Sequence, residues 1–406
     1  MLFSDLMEET FFSMKSNKSR ASLTILGIVI GIGSVIAMIS VGQGVSAGIT
    51  SQIESLGTNL LVVSPGQQKS TSVVRGGMGS ATTLTQEDSD AIVEQIVDIT
   101  AVAPTVSSRK QVTAKGTNTN TSIYGIDTKY FSVKNTSVEL GTEITEAQLK
   151  SKSKVAILGP TTRDDLFGED VDPIGQKIRI NSQEYTVIGV TVAKGGTGMG
   201  SSDDLIYIPL TTAQQYLTGN TKLSTINIQV TDADMMTYVE EEISALLLAR
   251  HNIADAASAD FSIMNQADML DTMSSVSDTL TLLLGAIAGI SLLVGGIGIM
   301  NMMLTTVTER TREIGLRKSL GASKSDISNQ FLAESVVLTF IGGIIGIVLG
   351  WVAAWMITTL SSTTTVVTSW SIFLAVGISA FIGIVFGYYP AHRAAKLDPI
   401  EALRYQ

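Results

Sequence analysis

Polar and apolar positions alternate on two scales along this chain. On the coarse scale, charged side chains vanish in blocks: 33 residues separate Arg20 from Glu54, 30 separate Asp278 from Glu309, and 57 separate Glu334 from His392. A bilayer-spanning helix needs about 20 apolar residues. The first two blocks each accommodate one, over 21–42 and 279–307. The third is too long for one pass and is divided by the polar stretch 361–369, leaving spans over 331–360 and 370–389. Four transmembrane helices are expected. The first apolar segment is longer than the roughly 7–15 residues of a cleaved leader, so it reads as a retained span.

On the fine scale, residues 43–278 carry the periods of a folded domain. Thr85 should open a helix, with Asp88 at the capping-box position and Ile92, Val93, Ile96 and Val97 on one stripe. Strands are expected over Ile99–Ala103, Lys110–Ala114 and Ser122–Ile126, then Val155–Leu158, Gln176–Ile180, Glu184–Val192, Leu205–Ile208 and Leu223–Val230. Asp234–Arg250 repeats Met236, Val239, Ile243, Leu246 and Leu247 at helical spacing. The fold class is therefore an α-helical membrane protein with a large α+β extracytoplasmic domain inserted between helices 1 and 2, and a smaller β-rich subdomain within it at about 154–219. Stripes at Val45, Ile49 and Ile53, and at Met269, Leu270, Met273 and Val276, predict that helices 1 and 2 continue past the bilayer as stalks. Phe3, Leu6, Met7, Phe11 and Met14 predict an amphipathic helix over 1–20 that lies in the inner interface.

Charge sets the sidedness. Of 27 Lys and Arg, 11 fall in the 66 residues of 1–20, 304–330 and 388–406, whereas 43–278 holds 16 against 28 acids. Basic residues collect on the cytoplasmic side. Both termini, the 308–330 loop and the 390–406 tail are thus expected inside a cell membrane (inner, cytoplasmic), with 43–278 and the short 361–369 loop outside. A net charge of −10 argues against nucleic acid. No Cys and two distant His, His251 and His392, leave no thiolate site, Cys nucleophile or His-based metal centre. No P-loop occurs, so ATP binding is not expected on this polypeptide, and no cofactor or metal is. The Gly-rich stretches Arg75–Ser80 and Lys194–Ser202 read as surface loops. No span holds a row of charges, so a coupling-ion pathway lacks residues.

Glycines four apart recur in every span: Gly27/Gly31, Gly285/Gly289, Gly342/Gly346/Gly350 and Gly383/Gly387. Such faces let helix backbones approach closely in lipid. Asn301 is expected to bond between helices, and Glu334 to pair with a basic side chain of the inside loop. In that loop Ile314, Leu316 and Leu320 add apolar knobs, and Gly315 and Gly321 punctuate the sequence. A short exposed helix of this kind suits a groove on a partner protein.

The run Glu309-Arg-Thr-Arg-Glu-Ile-Gly-Leu-Arg-Lys-Ser-Leu-Gly-Ala322, the following Phe331-Leu-Ala-Glu-Ser335 and the tail Tyr389-Pro-Ala-His-Arg through Arg404 resemble the FtsX-like permease family of ABC transporters. Leu26–Gly31 and Ser40–Gly44 are similar to its MacB branch, and the resemblance covers essentially the whole chain. It implies a homodimer in membrane lipid, an ABC ATPase that carries ATP and Mg, and a membrane-fusion-type adaptor outside. It implies export of peptides, toxins or drugs by mechanotransmission, in which ATPase motion is relayed to the outer domain. No P-loop lies in these 406 residues, so a split member whose ATPase is a separate subunit is expected. The resemblance assigns coupling to Glu309, Arg310, Arg312, Glu313, Gly315, Arg317, Lys318, Gly321 and Ala322. A lipoprotein-releasing permease of the LolC/LolE kind and an FtsX-like relay that activates cell-wall hydrolases are the alternatives.

Overall fold

The computed structural model describes residues 18–54, 57–66, 83–169, 171–195, 202–360 and 365–404. The amphipathic face expected over Phe3–Met14, the Arg75–Ser80 loop, most of Lys194–Ser202 and residues 361–364 of the outer loop lie outside them. The chain divides into two compact units, Met1–Ile49 with Met273–Gln406, and Thr50–Thr272. Helix α1 (Lys18–Glu54) is continuous through Val45 and Ile49.

The middle unit is built on one sheet. Its elements are β1 (Leu60–Pro65), α2 (Gln86–Gln95), β2 (Ile99–Ala114), β3 (Thr117–Ile126), α3 (Tyr130–Val133), β4 (Val138–Gly141), α4 (Glu146–Lys150) and β5 (Val155–Leu158). Then come α5 (Pro160–Phe167), β6 (Lys177–Ile180), β7 (Gln183–Thr191), β8 (Leu205–Pro209), α6 (Leu210–Ala213), β9 (Thr225–Val230), α7 (Met236–Arg250) and β10 (Phe261–Asn265). The strand order is β10-β1-β9-β2-β3-β8-β5-β7-β4, with β6 against β2 and β7. Pairing is antiparallel except for β3–β8 and β5–β7.

Two strands expected over Ile99–Ala103 and Lys110–Ala114 are one strand, β2. Pro104 and the polar Ser107-Ser108 suggest a break, but the ladder changes partner there: β9 pairs with Ile99–Thr105 and β3 with Val106–Ala114. The hairpin to β3 turns at Lys115 and Gly116, with φ of 49° and 93°, the left-handed pair of a tight two-residue hairpin turn. The 154–219 segment does not close a sheet of its own. Its strands β5–β8 share the sheet with β2 and β3, and Val112, Ala114 and Ile123 share the core of Leu158, Ile178 and Ile206.

The helix α2 begins as its sequence predicts. Thr85 caps it, and the Asp88 carboxylate accepts from the Thr85 backbone N–H at 2.9 Å in a complete capping box. Ile92 and Ile96 are buried, but Val93 and Val97 face outward. Asp88 also accepts from Arg250 Nε at 2.7 Å and contacts His251 Nε2 at 3.3 Å, while His251 Nδ1 meets Asp260 at 2.7 Å. Burial pushes the Asp88 carboxyl upward, but the bonds from Arg250, Thr85 and His251 outweigh it and hold the group below the ordinary range. Met236, Val239, Ile243 and Leu247 bury one face of α7 against the same core.

The other unit holds most of α1 and, from Met273 on, α8 (Gln266–Glu309), with α9 (Thr311–Ser319), α10 (Lys324–Leu360), α11 (Ser369–Lys396) and α12 (Pro399–Arg404). Among the described residues, four helices are long and apolar enough to cross a membrane: the Thr24–Glu54 part of α1, α8, α10 and α11. Three glycine faces pack within the chain. A Cβ on Gly27 would lie 3.4 Å from Gly295 Cα, and one on Gly350 would lie 2.9 Å from Gly33 O. Gly31 meets Leu292, and Gly342 and Gly346 receive Ile28 and Ile32. Gly383 and Gly387 of α11 receive Thr339 and Ser335 of α10. There Ser335 Oγ donates to Gly383 O at 3.0 Å and Ser379 Oγ to Thr339 O at 2.6 Å. Gly285 and Gly289 of α8 meet nothing within 4 Å among the described residues. The Asn301 side chain is exposed and makes no bond between helices among the described residues.

Candidate functional site

The helix α8 ends at Glu309 and the chain re-enters helix at Thr311. Ends of helices leave carbonyls without partners, and the Thr311 hydroxyl takes two of them, Val307 O at 3.0 Å and Thr308 O at 2.8 Å. This hydroxyl fixes the corner at Arg310. Helix α9 then stops at Gly321, whose φ of 103° is the left-handed conformation that ends helices at low cost.

The inward side of α9 is locked to its neighbours. Arg310 grips Glu313 through both Nε and Nη2 at 2.8 Å each, and its Nη1 lies 3.5 Å from Glu334 of α10. Its guanidinium stands 5.7 Å from the centre of the buried Phe331 ring. Arg317 bridges Glu313 at 2.8 Å and donates to Gln330 Oε1 at 2.6 Å. The bonds from Arg310 hold the Glu313 carboxyl below its ordinary range against its partial burial. Lys318 Nζ donates to Ala395 O at 3.0 Å and to Leu397 O, carbonyls at the C-terminal end of α11. A cation there also suits the helix dipole.

Gly315 and Ile314 are buried. A Cβ on Gly315 would lie 2.8 Å from Ala402 Cβ. Gly315 is thus the seat of α12 rather than a surface left open for a partner, and Ile314 is core rather than an exposed knob. Ala322 packs at the edge of the same apolar cluster.

The outward side of α9 is different. Arg312, Leu316, Ser319 and Leu320 are exposed, with Leu316 at 53% and Leu320 at 81%. Glu309 is exposed at the preceding corner. Spacings of four place Arg312, Leu316 and Leu320 on one helical face. The result is a basic and apolar ridge on a helix held at three points. Sequence reasoning found the ridge and Glu334, but missed Gln330, Ala402 and the carbonyls under Lys318. The Asp398-Pro399 pair was a readable helix start, since Asp398 Oδ1 accepts from Ile400 N–H at 2.8 Å.

At the far end of α8, the buried Gln266 side chain joins three backbone groups. Its Nε2 donates to Ile53 O at 2.9 Å and Gly57 O at 2.7 Å, and its Oε1 accepts from Leu60 N–H at 2.9 Å. The last turn of α1 and the first residue of α8 are therefore tied together.

Residues 21–246 match the MacB-like periplasmic core domain, and residues 285–399 match the FtsX-like permease C-terminal domain. The macrolide export ATP-binding/permease protein MacB of Bdellovibrio bacteriovorus is 41% identical over 98% of this chain and 61% of that protein. The proteins of the same description from Azoarcus sp. and Chlorobaculum tepidum are also 41% identical over 98% of this chain, and over 60% and 61% of their own length. The chain thus spans about 60% of the length of these relatives. A crystal structure of the periplasmic region of MacB from Actinobacillus actinomycetemcomitans is 22% identical, covers 56% of this chain and 98% of that one, and has a TM-score of 0.46.

Proposed function

The chain belongs to the family that joins a MacB-like periplasmic core domain to an FtsX-like permease, and on that premise we propose that it is the permease of an ABC-type export system. Peptides, toxins or drugs are its substrate class; the relatives' own name is macrolide export. ATP and Mg belong to an ABC ATPase partner that docks on α9. Arg312, Leu316 and Leu320 enter a groove on that partner, where burial of the two leucines supplies about 1.5–3 kcal/mol each. Both termini lie in the cytoplasm.

The observation that carries this reading is the two-sided build of α9. A docking element must transmit force without yielding. The Arg310–Glu313–Arg317 group, Gln330 and Lys318 fix it to α10 and to the end of α11. Displacement of α9 would then move α10 and α11 with it. Helix α8 has 44 residues, about 66 Å at 1.5 Å per residue, so a shift at Glu309 is delivered at Gln266. This is mechanotransmission, with a membrane-fusion-type adaptor receiving the outer domain. A second copy completes the permease, and the open Gly285/Gly289 side of α8 is the seat we assign to it.

The test is ATPase association. Leu316→Asp and Leu320→Asp each put a carboxylate into the proposed groove while leaving every inward bond of α9 intact. Both variants should keep wild-type thermal stability, lose ATPase co-purification and lose export. Wild-type association and export in both variants would sink the docking assignment.

A further inference from the structure

Two consecutive amide side chains sit where helix α8 leaves the outer unit. Strand β10 ends at Asn265 and α8 starts at Gln266, with no connecting residue between them. Both are buried, at 4% and 8% exposure. Asn265 Oδ1 accepts from Ala267 N–H at 2.9 Å and so caps the helix. Its Nδ2 donates to Glu240 Oε2 of α7 at 2.9 Å, which fixes the start of α8 to that helix.

The Gln266 side chain does the work of a strand that is no longer there. In the β1–β10 ladder the last pair is Leu61 with Asn265. The next would be Leu60 with Gln266, where the backbone has already turned into helix. The side-chain amide takes the place of the missing peptide, and Oε1 accepts from Leu60 N–H at 2.9 Å. Both Nε2 hydrogens are then used on the end of α1, at Ile53 O and Gly57 O. Ile53 O belongs to the last turn of α1, whose carbonyls have no partner within the helix. Gly57 leaves that turn at a φ of 128°, and a Cβ there would lie 2.5 Å from Val133 O of α3, so no side chain fits. A glutamine supplies two N–H donors and an acceptor together; a carboxylate only accepts, and a thioether of the same length does neither usefully. All of these groups lie within the outer unit, Thr50–Thr272.

We propose that Gln266 is a positioning residue for transmission: its amide holds the outer ends of α1 and α8 as one rigid joint, so that neither end moves without the other. Its use in export rests on the mechanotransmission reading above. The joint itself is tested on the chain alone, so its failure is separate from that of ATPase docking.

Spin labels on the full chain in detergent provide the test, since there is no native Cys. One pair, Ser51→Cys and Asp268→Cys, lies on exposed positions of α1 and α8. A control pair, Glu87→Cys and Glu241→Cys, lies on exposed positions of α2 and α7. Distances are read by double electron–electron resonance. With native Gln266 both pairs should give one narrow distribution. Gln266→Met, which keeps the length and removes the amide, should lose the narrow distribution of the α1–α8 pair and leave the control pair unchanged. Gln266→Asn, which keeps the amide and shortens its reach, should do the same and serves as the second variant should Gln266→Met fold poorly. Adding the ATPase subunit with ATP and vanadate should leave the native α1–α8 distribution as it was. A narrow α1–α8 distribution in both variants would overturn the assignment, as would a native pair that separates with ATP. Broadening of both pairs together would also overturn it, because Gln266 would then serve only the folding of the outer unit.

Discussion

The two units hold themselves together by opposite means. The outer unit fills its interior with large side chains: Ile226, Ile228, Val239, Ile243 and Leu247 are all at or near zero exposure. The helix unit makes its closest contacts where side chains are missing, at Gly27 against Gly295 and Gly33 against Gly350. It turns Leu282, Ile290 and Phe373 outward, each more than 60% exposed. In water, removing apolar surface stabilises by about 25 cal/mol per Å². Lipid tails are as apolar as leucine, so that term vanishes between membrane helices, and close backbone approach with hydroxyl–carbonyl bonds replaces it. The same residue type therefore has opposite value in the two regions.

The largest effect is expected in the outer core. Ile243→Ala should destabilise the outer unit by about 2–5 kcal/mol through lost transfer and a residual cavity, read as a lowered unfolding midpoint. Phe373→Ala, exposed on α11, should change it little; equal losses at the two sites would erase the contrast drawn above. Next comes overpacking. Gly350→Leu must displace Gly33 O and Ile36, a cost of about 1–3 kcal/mol, seen as reduced helix-unit stability in detergent. A fully stable variant would mean that the α1–α10 contact is looser than described.

A smaller and pH-dependent effect belongs to Asp88. Its folded pKa is depressed, so its contribution is present above the unfolded value near 3.8 and is lost as pH falls through the folded one. Arg250→Met should cost about 1–2 kcal/mol at pH 7, allowing for the one-third exposure of Arg250. The difference from wild type should fade below pH 4, and a constant difference would assign it to packing instead. The smallest effect on the single chain is expected for Gly285→Leu, which has open space to fill. It should leave monomer stability unchanged and weaken self-association in detergent, and unchanged self-association would move the second copy's seat off this face.

What the residues announced in advance were the features set by local chemistry. Thr85 and Asp88 close a capping box because three residues suffice to define one, and β5 spans Val155–Leu158 as its apolar run suggests. Features that need a second element were not legible. Gly285 and Gly27 sit in the same spacing, and only the course of the neighbouring helices makes one open and the other closed. Ile314 and Leu316 look alike as exposed knobs in the sequence, but Ile314 joins the apolar cluster of the helix unit while Leu316 stays bare.

The central claim is that one helix, α9, faces two ways, anchored to the bundle on one side and presented to an ATPase on the other. The absence of Cys from the chain allows a direct test by site-specific crosslinking. A single Cys placed at Leu316 or Leu320 and labelled with a benzophenone maleimide should yield an adduct with the ATPase on illumination in membranes. The same label at Leu360, equally exposed at 80% but at the other end of α10, should yield none. Adducts at Leu316 and Leu320 with none at Leu360 are the predicted result; ATPase adducts that are absent from both α9 positions, or no stronger there than at Leu360, would contradict it.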